Sequence, residues 1–389
     1  MSRVKLGDVA FEHKETCKGN RDDYPVVGLE HLIPEEITLE KWDEGTDNTF
    51  TKMFRKDNIL FGRRRAYLKK AAIAPFDGIC SGDITVIEAN PDRILPRLLP
   101  FIIQNDYFFD FAVEKSAGSL SPRVKWEHLK DYEFDLPDMD KQYELADLLW
   151  AIDATKKTYQ KLISATDELV KSQFMEQFGN PITNDRGWDH VLLPELAEFV
   201  LGTTPKSSEP EYWDGNIKWI TPAELEDTSF VIYDSVRHIT EAGVKAAGLK
   251  PFPAGTVIFS TRAPIGKTAI AGCEMYCNQG FKNFICGPRL NPVYLFAVLR
   301  LHKDYFIGLG TGATFKELSK ARLEKIAISV PPMALQERFE EFYRQSDKSK
   351  FELEHTLSEL TATYKRIIRE NLNIAGDKPK MISQSSQLL

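Results

Sequence analysis

The sequence has few of the residues from which metal centres, disulfide frameworks and nucleophilic active sites are built. Its 389 residues include five cysteines and seven histidines. The cysteines form no CxxC pair, which excludes a common thiolate metal motif and indicates a reducing, cytoplasmic compartment. The histidines form no HExxH pair and no GxSxG sequence occurs, so the signatures of zinc proteases and serine hydrolases are both absent.

A long apolar run is also lacking. No stretch is long enough to cross a bilayer as a helix. The N-terminus from Met1 to Lys5 leads into polar sequence, so no secretory signal is expected. The formal net charge of -7 argues against bulk binding of nucleic acid, but basic residues clustered in one place can outweigh it locally. The length fits two or three domains.

The longest regular pattern is an apolar stripe at helical spacing between Asp140 and Phe178. Its members lie three and four positions apart: Leu145, Leu148, Ile152, Thr155, Tyr159, Leu162, Thr166 and Leu169. This spacing predicts a long helix that buries a narrow stripe against another helix. The helix should end at Gly179, because glycine supplies a left-handed cap and Pro181 cannot continue a helix. A second uninterrupted run, Leu335 to Leu372, is the expected partner.

Both predicted helices follow the same lead-in, which reveals an internal repeat. Pro137 and Gln142 recur as Pro331 and Gln336, in each case 194 positions later. A repeat of this length is the signature of a duplicated structural unit. The sequence therefore predicts one mixed α/β unit and one long helix, each present twice.

The predicted fold class is α+β, with two repeated mixed α/β domains separated by two long antiparallel coiled-coil helices. In each domain, predicted strands flank a basic loop, and one helix follows them at residues 94–111 and 292–306. The expected boundaries are 1–138 for the first domain, 139–179 for the first long helix, 180–332 for the second domain, 333–373 for the second long helix and 374–389 for a disordered tail.

Two short motifs invite comparison with nucleotide chemistry, and each also has an ordinary structural explanation. The run from Gly308 to Gly312 resembles a phosphate loop, but it follows a predicted helix, whereas a nucleotide-binding loop follows a strand and opens a helix. Asn291-Pro292-Val293-Tyr294 can be compared with the Asn-Pro-Pro-Tyr motif of adenine methyltransferases. The second proline is missing and no glycine-rich methyl-donor loop precedes it, so an asparagine cap before a helix that starts with proline is expected.

Basic residues cluster at the same place in both repeats. Residues 60–72 lie between two predicted strands and contain no acidic residue, only the cations Arg63, Arg64, Arg65, Lys69 and Lys70. The second repeat has Arg262 and Lys267 there, followed by Asn278, Gln279 and Lys282. Arginine and lysine neutralise phosphates, an arginine fork suits guanine, and an amide suits adenine. A single cluster is usually a solvated loop, but its recurrence favours contact with DNA.

A small-residue loop in the second domain adds to this picture. It reads Gly202-Thr203-Thr204-Pro205-Lys206-Ser207. Its hydroxyl and ammonium groups suit phosphate oxygens. An ordinary turn is the alternative explanation.

The duplicated α/β unit, each copy followed by a long helix, resembles the specificity subunit of type I restriction-modification systems. The resemblance covers nearly the whole chain. It is carried by the two helix lead-ins, the junction Glu176-Gln177-Phe178-Gly179-Asn180-Pro181, and Gly202-x-Thr204-Pro205 followed by Tyr212-Trp213 and Trp219-Ile220-Thr221. The first domain departs from the Gly-x-Thr-Pro pattern and has Cys17-Lys18-Gly19-Asn20 instead.

The resemblance implies a non-catalytic chain that recognises double-stranded DNA. Each domain would read one half of a split target, while the paired helices would fix the gap and dock two modification subunits. Those partners would bind S-adenosylmethionine and methylate adenine N6, and a restriction subunit would add ATP-driven translocation and cleavage. No cofactor and no membrane partner is expected for this chain itself.

The residues that we predict to contact DNA lie in the basic and small-residue loops and in the segments beside them. In the first domain they are Arg63, Arg64, Arg65, Lys69, Lys70, Ser81 and Arg123. In the second domain they are Thr204, Lys206, Arg262, Lys267, Asn278, Gln279, Lys282, Thr314 and Lys316.

Two other classes of function stay open at this point. A stand-alone or fused DNA methyltransferase would need a methyl-donor loop, and the sequence offers none. A coiled-coil scaffold would explain the helices but not the two basic loops. DNA binding with a steep salt dependence would exclude the scaffold.

Overall fold

The computed structural model describes residues 1–45, 49–262, 264–312 and 316–372. The chain forms two compact units. The first comprises Met1–Gln160 and the chain from His355 onward, and the second comprises Lys161–Glu354. Each unit therefore contains one α/β domain and a part of both long helices. Thr314 and the predicted tail, residues 374–389, lie outside the described residues.

The first unit is built from short strands and short helices. Its strands are β1 (Ser2–Lys5), β2 (Ala10–Glu12), β3 (Glu15–Thr16), β4 (Val26–Val27), β5 (Lys52–Phe54), β6 (Ile59–Gly62), β7 (Ala71–Ile73), β8 (Gly78–Cys80), β9 (Ile84–Ala89) and β10 (Glu133–Leu136). Its short helices are α1 (Leu6–Val9), α2 (Leu99–Ile103), α3 (Asp106–Glu114) and α4 (Trp126–Leu129). The first long helix, α5 (Met139–Phe178), starts here.

The strands of the first unit form two four-stranded sheets, in the orders β2-β9-β6-β7 and β3-β5-β8-β4, and β1 pairs with β10. Alternate side chains of β6 enter different cores. Ile59 and Phe61 belong to the core that includes α2 and α3, whereas Leu60 packs with Val27 and Val86. Because successive side chains of a strand point to opposite faces, β6 is covered on both sides.

The second unit repeats this plan. Its strands are β11 (Asp189–Leu192), β12 (Ala197–Leu201), β13 (Trp213–Ile220), β14 (Val231–Ile232), β15 (His238–Ile239), β16 (Val257–Phe259), β17 (Thr268–Ala271), β18 (Tyr276–Cys277), β19 (Lys282–Cys286) and β20 (Ala327–Val330). Its helices are α6 (Leu193–Leu196), α7 (Glu241–Ala247), α8 (Pro292–Leu301), α9 (Lys303–Gly308), α10 (Lys320–Leu323) and the second long helix, α11 (Met333–Leu372).

The strand pairings confirm the duplication. The sheets of the second unit have the orders β12-β19-β16-β17-β14 and β15-β13-β18, and β11 pairs with β20. The parallel pair Val27 with Cys80 in the first unit corresponds to the parallel pair Ile220 with Cys277 in the second. In β16, Val257 and Phe259 enter one core and Ile258 the other, as the matching residues of β6 do.

The first and last residues of the two long helices confirm the predicted repeat. Helices α5 and α11 each contain 40 residues, and both ends of α11 lie 194 positions after those of α5. At about 1.5 Å per residue, each helix is roughly 60 Å long. Among the described helices, none combines the length and the apolar character needed to cross a bilayer.

The repeated glutamine pins each long helix to its domain. Gln142 is buried, accepts a hydrogen bond from Leu95 N at 2.8 Å and donates one to Pro137 O at 2.8 Å. The buried Gln336 likewise accepts from Asn291 N at 2.8 Å and donates to Pro331 O at 2.7 Å. The shared sequence of the two lead-ins is therefore explained by a shared structural contact.

In each unit, the start of one long helix packs with the end of the other. In the first unit the buried helix residues are Leu145, Leu149 and Ile152 of α5 with Tyr364, Ile368 and Leu372 of α11. In the second unit they are Phe174 and Phe178 of α5 with Phe339 and Tyr343 of α11. The helices of the second unit are antiparallel, since Lys350 pairs with Asp167 at 2.7 Å while Gln177 donates to Leu335 O at 3.3 Å.

Two sequence predictions about helices were wrong in detail. Leu148, Leu162 and Leu169, assigned to the buried stripe, are 47%, 47% and 54% exposed. The helices predicted at residues 94–111 and 292–306 are each two shorter helices. In the first unit the side chain of Asn105 accepts a hydrogen bond from Phe108 N at 3.0 Å and so caps a new helix.

Candidate nucleic-acid interface

The two predicted basic loops connect equivalent antiparallel strand pairs. The loop from Arg63 to Lys70 joins β6 to β7, and the loop from Ser260 to Lys267 joins β16 to β17. In each strand pair, the last residue of the first strand that pairs across before the loop is a phenylalanine. Phe61 pairs with Ala71, and Phe259 pairs with Thr268. The fold thus places the two loops at equivalent positions, each at the same end of the corresponding strand pair in its own domain.

The first loop contains two non-glycine residues in the left-handed backbone region. Arg65 has φ 55° and ψ 57°, and Lys69 has φ 52° and ψ 45°. Such conformations are uncommon for side-chain-bearing residues and concentrate at functional sites. Within the described chain, the exposed Arg65 has no ion-pair partner, whereas Lys69 pairs with Asp106 at 2.5 Å. Arg65 is therefore the cation of this loop that is most available to a ligand.

In each unit, one carboxylate links two cations beside the loop. In the first unit Asp83 pairs with Arg123 at 2.7 Å and with Arg64 at 3.4 Å. The hydrogen bond from Arg123, followed by the charges of both arginines, holds the pKa of Asp83 below its usual value. The carboxylate fixes both arginine side chains, and part of their positive charge is neutralised.

The second unit makes the same kind of link from different positions. Glu317 pairs with Arg262 at 3.0 Å and with Lys282 at 3.4 Å. Partial burial opposes ionisation of Glu317, but the hydrogen bond from Arg262 and the charge of Lys282 keep its pKa below the usual value. By backbone pairing, Glu317 occupies the position of Arg123 in the first unit. The two units therefore carry opposite charge at this place.

Three of the predicted lysines face inward. Lys70 donates to Leu29 O at 2.7 Å, and the equivalent Lys267 donates to Pro222 O at 3.3 Å. Lys282 is 5% exposed and donates to Thr261 Oγ1 at 2.9 Å, and burial lowers its pKa. Each ammonium group has an internal partner, so these lysines hold the loops in place.

The small-residue loop of the second unit lies against the turn before β19. A Cβ at Gly202 would lie 2.1 Å from Cys277 O, so only glycine fits there. Thr204 donates to Gln279 Oε1 at 2.5 Å. The exposed Lys206 has no ion-pair partner in the described part of the chain. The structure thus brings together Thr204 and Gln279, two residues that the sequence analysis predicts to contact DNA.

Four other predicted residues have simple settings. Ser81 and Asn278 hold equivalent turns, since Ser81 Oγ accepts from Asp83 N at 3.2 Å and Asn278 Oδ1 accepts from Gly280 N at 2.9 Å. Lys316 is exposed. The half-buried Arg63 has a buried Nε atom without an acceptor among the described residues.

Sequence reasoning missed Arg237. Its guanidinium carbon lies 3.7 Å from the ring centre of Trp213 and 5.5 Å from that of Trp219. Both indoles also hold the small-residue loop, because Trp213 donates to Lys206 O at 3.2 Å and Trp219 donates to Thr203 O at 3.1 Å. The two tryptophans were visible in the sequence, but their contact with an arginine at least 18 positions away was not.

The two motifs that invited an enzymatic interpretation have structural roles. Asn291 caps α8, with its side chain accepting from Val293 N at 2.8 Å and Tyr294 N at 3.3 Å. The Tyr294 ring is fully buried and its hydroxyl donates to Ser329 O at 2.9 Å, so it cannot stack on a flipped base. Gly308 is the last residue of α9, so the glycine-rich segment follows a helix and not a strand.

Comparisons with known proteins agree with the duplicated fold. Residues 2–165 and 185–361 match the family model described as type I restriction modification DNA specificity domain. Over 164 residues the chain is 35% identical to the type I restriction enzyme MjaIX specificity subunit of Methanocaldococcus jannaschii, a match that covers 41% of this chain and 38% of that protein. Over 348 residues it is 20% identical to the putative type I restriction enzyme MjaX specificity subunit of the same organism, covering 82% of this chain and 79% of that protein.

A solved structure shows the same fold. The type I restriction-modification system S subunit from M. genitalium superposes with a TM-score of 0.59 at 13% identity, covering 97% of this chain and 96% of that one. Both curated relatives are named as specificity subunits. These names agree with the prediction that this chain is not itself the catalytic one.

Proposed function

Because the chain belongs to the family of type I restriction-modification DNA specificity domains, we propose that each of its two domains reads one half of a split DNA target. The observation that carries the proposal is the recurrence of a cation-bearing loop between equivalent strands of both domains. A duplicated reading surface suits a target in two parts, and the divergence of its residues suits two different half-sites.

The proposed contacts fall into two kinds. Three exposed cations have no ion-pair partner among the described residues and suit phosphate oxygens: Arg65 in the first domain, and Lys206 and Lys316 in the second. The amide groups of Asn278 and Gln279 suit an adenine edge in the major groove. Four further residues stay among those proposed to contact DNA, because they lie beside the exposed cations or the amide groups along the chain or in space: Arg63, Lys69, Ser81 and Thr204.

The linked cations have a more specific role in this proposal. Arg64, Arg123 and Arg262 are held by Asp83 or Glu317, so each guanidinium is fixed before DNA arrives. A fixed planar fork suits a guanine edge better than a mobile ammonium group does. The inward-facing lysines Lys70, Lys267 and Lys282 are left out of the contact set, because contact with DNA would require them to leave their internal partners.

The long helices suit the docking of partner subunits. Helix α5 exposes large apolar side chains in both units, Tyr143 and Leu148 in the first and Leu162 and Leu169 in the second. Exposed apolar side chains on a helix favour a protein partner. We propose that modification subunits bind here and supply S-adenosylmethionine and adenine N6 methylation, with a restriction subunit adding ATP-driven cleavage, all in the cytoplasm.

The test is to map adenine methylation in DNA from cells that express this chain together with its modification subunit. A split motif with a fixed gap, absent when the chain is omitted, is the expected result. A methylated motif that does not depend on the chain would refute the proposal. Methyl-donor binding by the isolated chain would favour the methyltransferase alternative, and a stable complex with an active partner that methylates nothing would favour the scaffold.

A further inference from the structure

Arg237 is an exposed cation held flat against an aromatic surface. Its guanidinium carbon lies 3.7 Å from the Trp213 ring centre, a distance that places the two planes in contact. Within the described residues, no carboxylate pairs with its guanidinium group. The face of the guanidinium is covered by the ring while its edge carries N–H donors. This arginine is therefore fixed in direction and still has its hydrogen-bonding capacity.

The setting of Arg237 is part of the proposed interface. Arg237 directly precedes β15, which pairs with β13, and its carbonyl accepts from Trp219 N at 3.3 Å. The Trp213 ring beneath it donates to Lys206 O in the small-residue loop. The same two indoles thus position both the loop and the arginine.

We propose that Arg237 determines specificity by reading a guanine in the half-site assigned to the second domain. The inference rests on the proposed function. A planar guanidinium presents two parallel donors that match guanine O6 and N7, whereas a phosphate accepts a lysine equally well. Stacking on Trp213 restricts the rotamers of the side chain before binding, so less conformational entropy is lost when the base is contacted.

The first domain has a different residue at the equivalent place. Val26 in the first domain corresponds to Trp219 in the second. Val26 pairs in parallel with Ile79, and Trp219 pairs in parallel with Tyr276, which lies 197 positions after Ile79. Val26 N donates to Asp43 O at 2.8 Å, as Trp219 N donates to Arg237 O. An aspartate there cannot act as a donor to guanine. The effect of changing Arg237 should therefore be confined to one half of the target.

The experiment compares wild type with Arg237→Gln and Arg237→Lys, each in complex with the modification subunits, by selecting bound sequences from random duplexes. Arg289→Gln serves as the matched control. It removes one exposed positive charge from the same unit, beside the start of α11 where Gln336 donates to Arg289 O. Unaltered selection at the other positions of the second half-site is the internal measure that the second domain of each variant is folded.

Both Arg237 variants should lose preference for guanine at one position of the second half-site by roughly 5- to 150-fold, the factor expected for one bidentate base contact. The first half-site and the control should be unchanged. If lysine restores wild-type selection while glutamine weakens all sequences equally, Arg237 contacts phosphate and the inference fails. If the wild type selects a split motif and neither variant alters it, the inference also fails, but the proposed function stands. If the wild type selects no split motif, the proposed function itself is refuted.

Discussion

The buried amide of Gln336 allows a quantitative test of how the second domain holds its long helix. Gln336 is 0% exposed. It accepts from Asn291 N at 2.8 Å and donates to Pro331 O at 2.7 Å and to Arg289 O at 3.1 Å. Gln336→Leu keeps a side chain of similar size but leaves one N–H and two carbonyl groups without this partner.

The expected loss follows from the number of groups left unpaired. A buried polar group without a partner costs about 1–3 kcal/mol. Since a carbonyl near the surface can regain water, we expect Gln336→Leu to lower the free energy of unfolding by about 3–5 kcal/mol in total. Gln142→Leu removes two such bonds in the first unit, so its loss should be smaller.

Urea unfolding followed by circular dichroism would measure the loss, and hydrogen exchange read by mass spectrometry would locate it. In Gln336→Leu, backbone amide hydrogen exchange should become faster at the start of α8 and in the first turn of α11. Gln345→Leu is the matched control, because Gln345 is exposed on the same helix. A change in Gln336→Leu no larger than that of the control would refute the proposed pinning role.

Three further predictions concern the loops. Arg65→Gln should weaken binding about equally on all duplexes and reduce the salt slope by about 1; altered sequence preference with an unchanged slope would contradict a phosphate contact. Lys70→Met and Lys267→Met should each reduce the free energy of unfolding by about 1.5–3 kcal/mol, because carbonyl groups lose a charged donor; wild-type stability with weak DNA binding would show instead that the lysine contacts DNA. Asp83 has a lowered pKa because Arg123 hydrogen-bonds to it. Its stabilising contribution is therefore present above the usual carboxyl pKa and is lost as the pH falls through the lowered value. Asp83→Asn should flatten the acid limb of the stability–pH profile, and an unaltered limb would oppose this role.

The paired helices could be predicted because a repeat constrains two places at once. Pro137 and Gln142 recur at a fixed spacing with Pro331 and Gln336, and each pair makes the same contacts. The buried stripe was harder to assign. The periodicity included Leu148, which is 47% exposed, because apolar spacing does not distinguish a surface buried within the chain from one left exposed.

The sequence predicts an interface at the level of loops, and the structure adds which of their side chains point outward. A sequence shows charge, whereas availability depends on where the side chain points. Lys282 faces Thr261 and Glu317 inside the domain although it lies in a basic segment. Arg237 lies outside every basic cluster and acquires its setting from Trp213, which is distant in sequence.

The sharing of long-helix ends between the units has a consequence for synthesis of the chain. Phe101 and Trp150 pack against each other in the first unit, and Phe101 also packs against Tyr364. Tyr364 follows Trp150 by 214 positions. At about 5–20 residues per second, a ribosome needs roughly 10–40 s to make that stretch. Throughout this interval the aromatic surface of the nascent N-terminal domain lacks its final cover, so we expect it to stay exposed until the second long helix has been made.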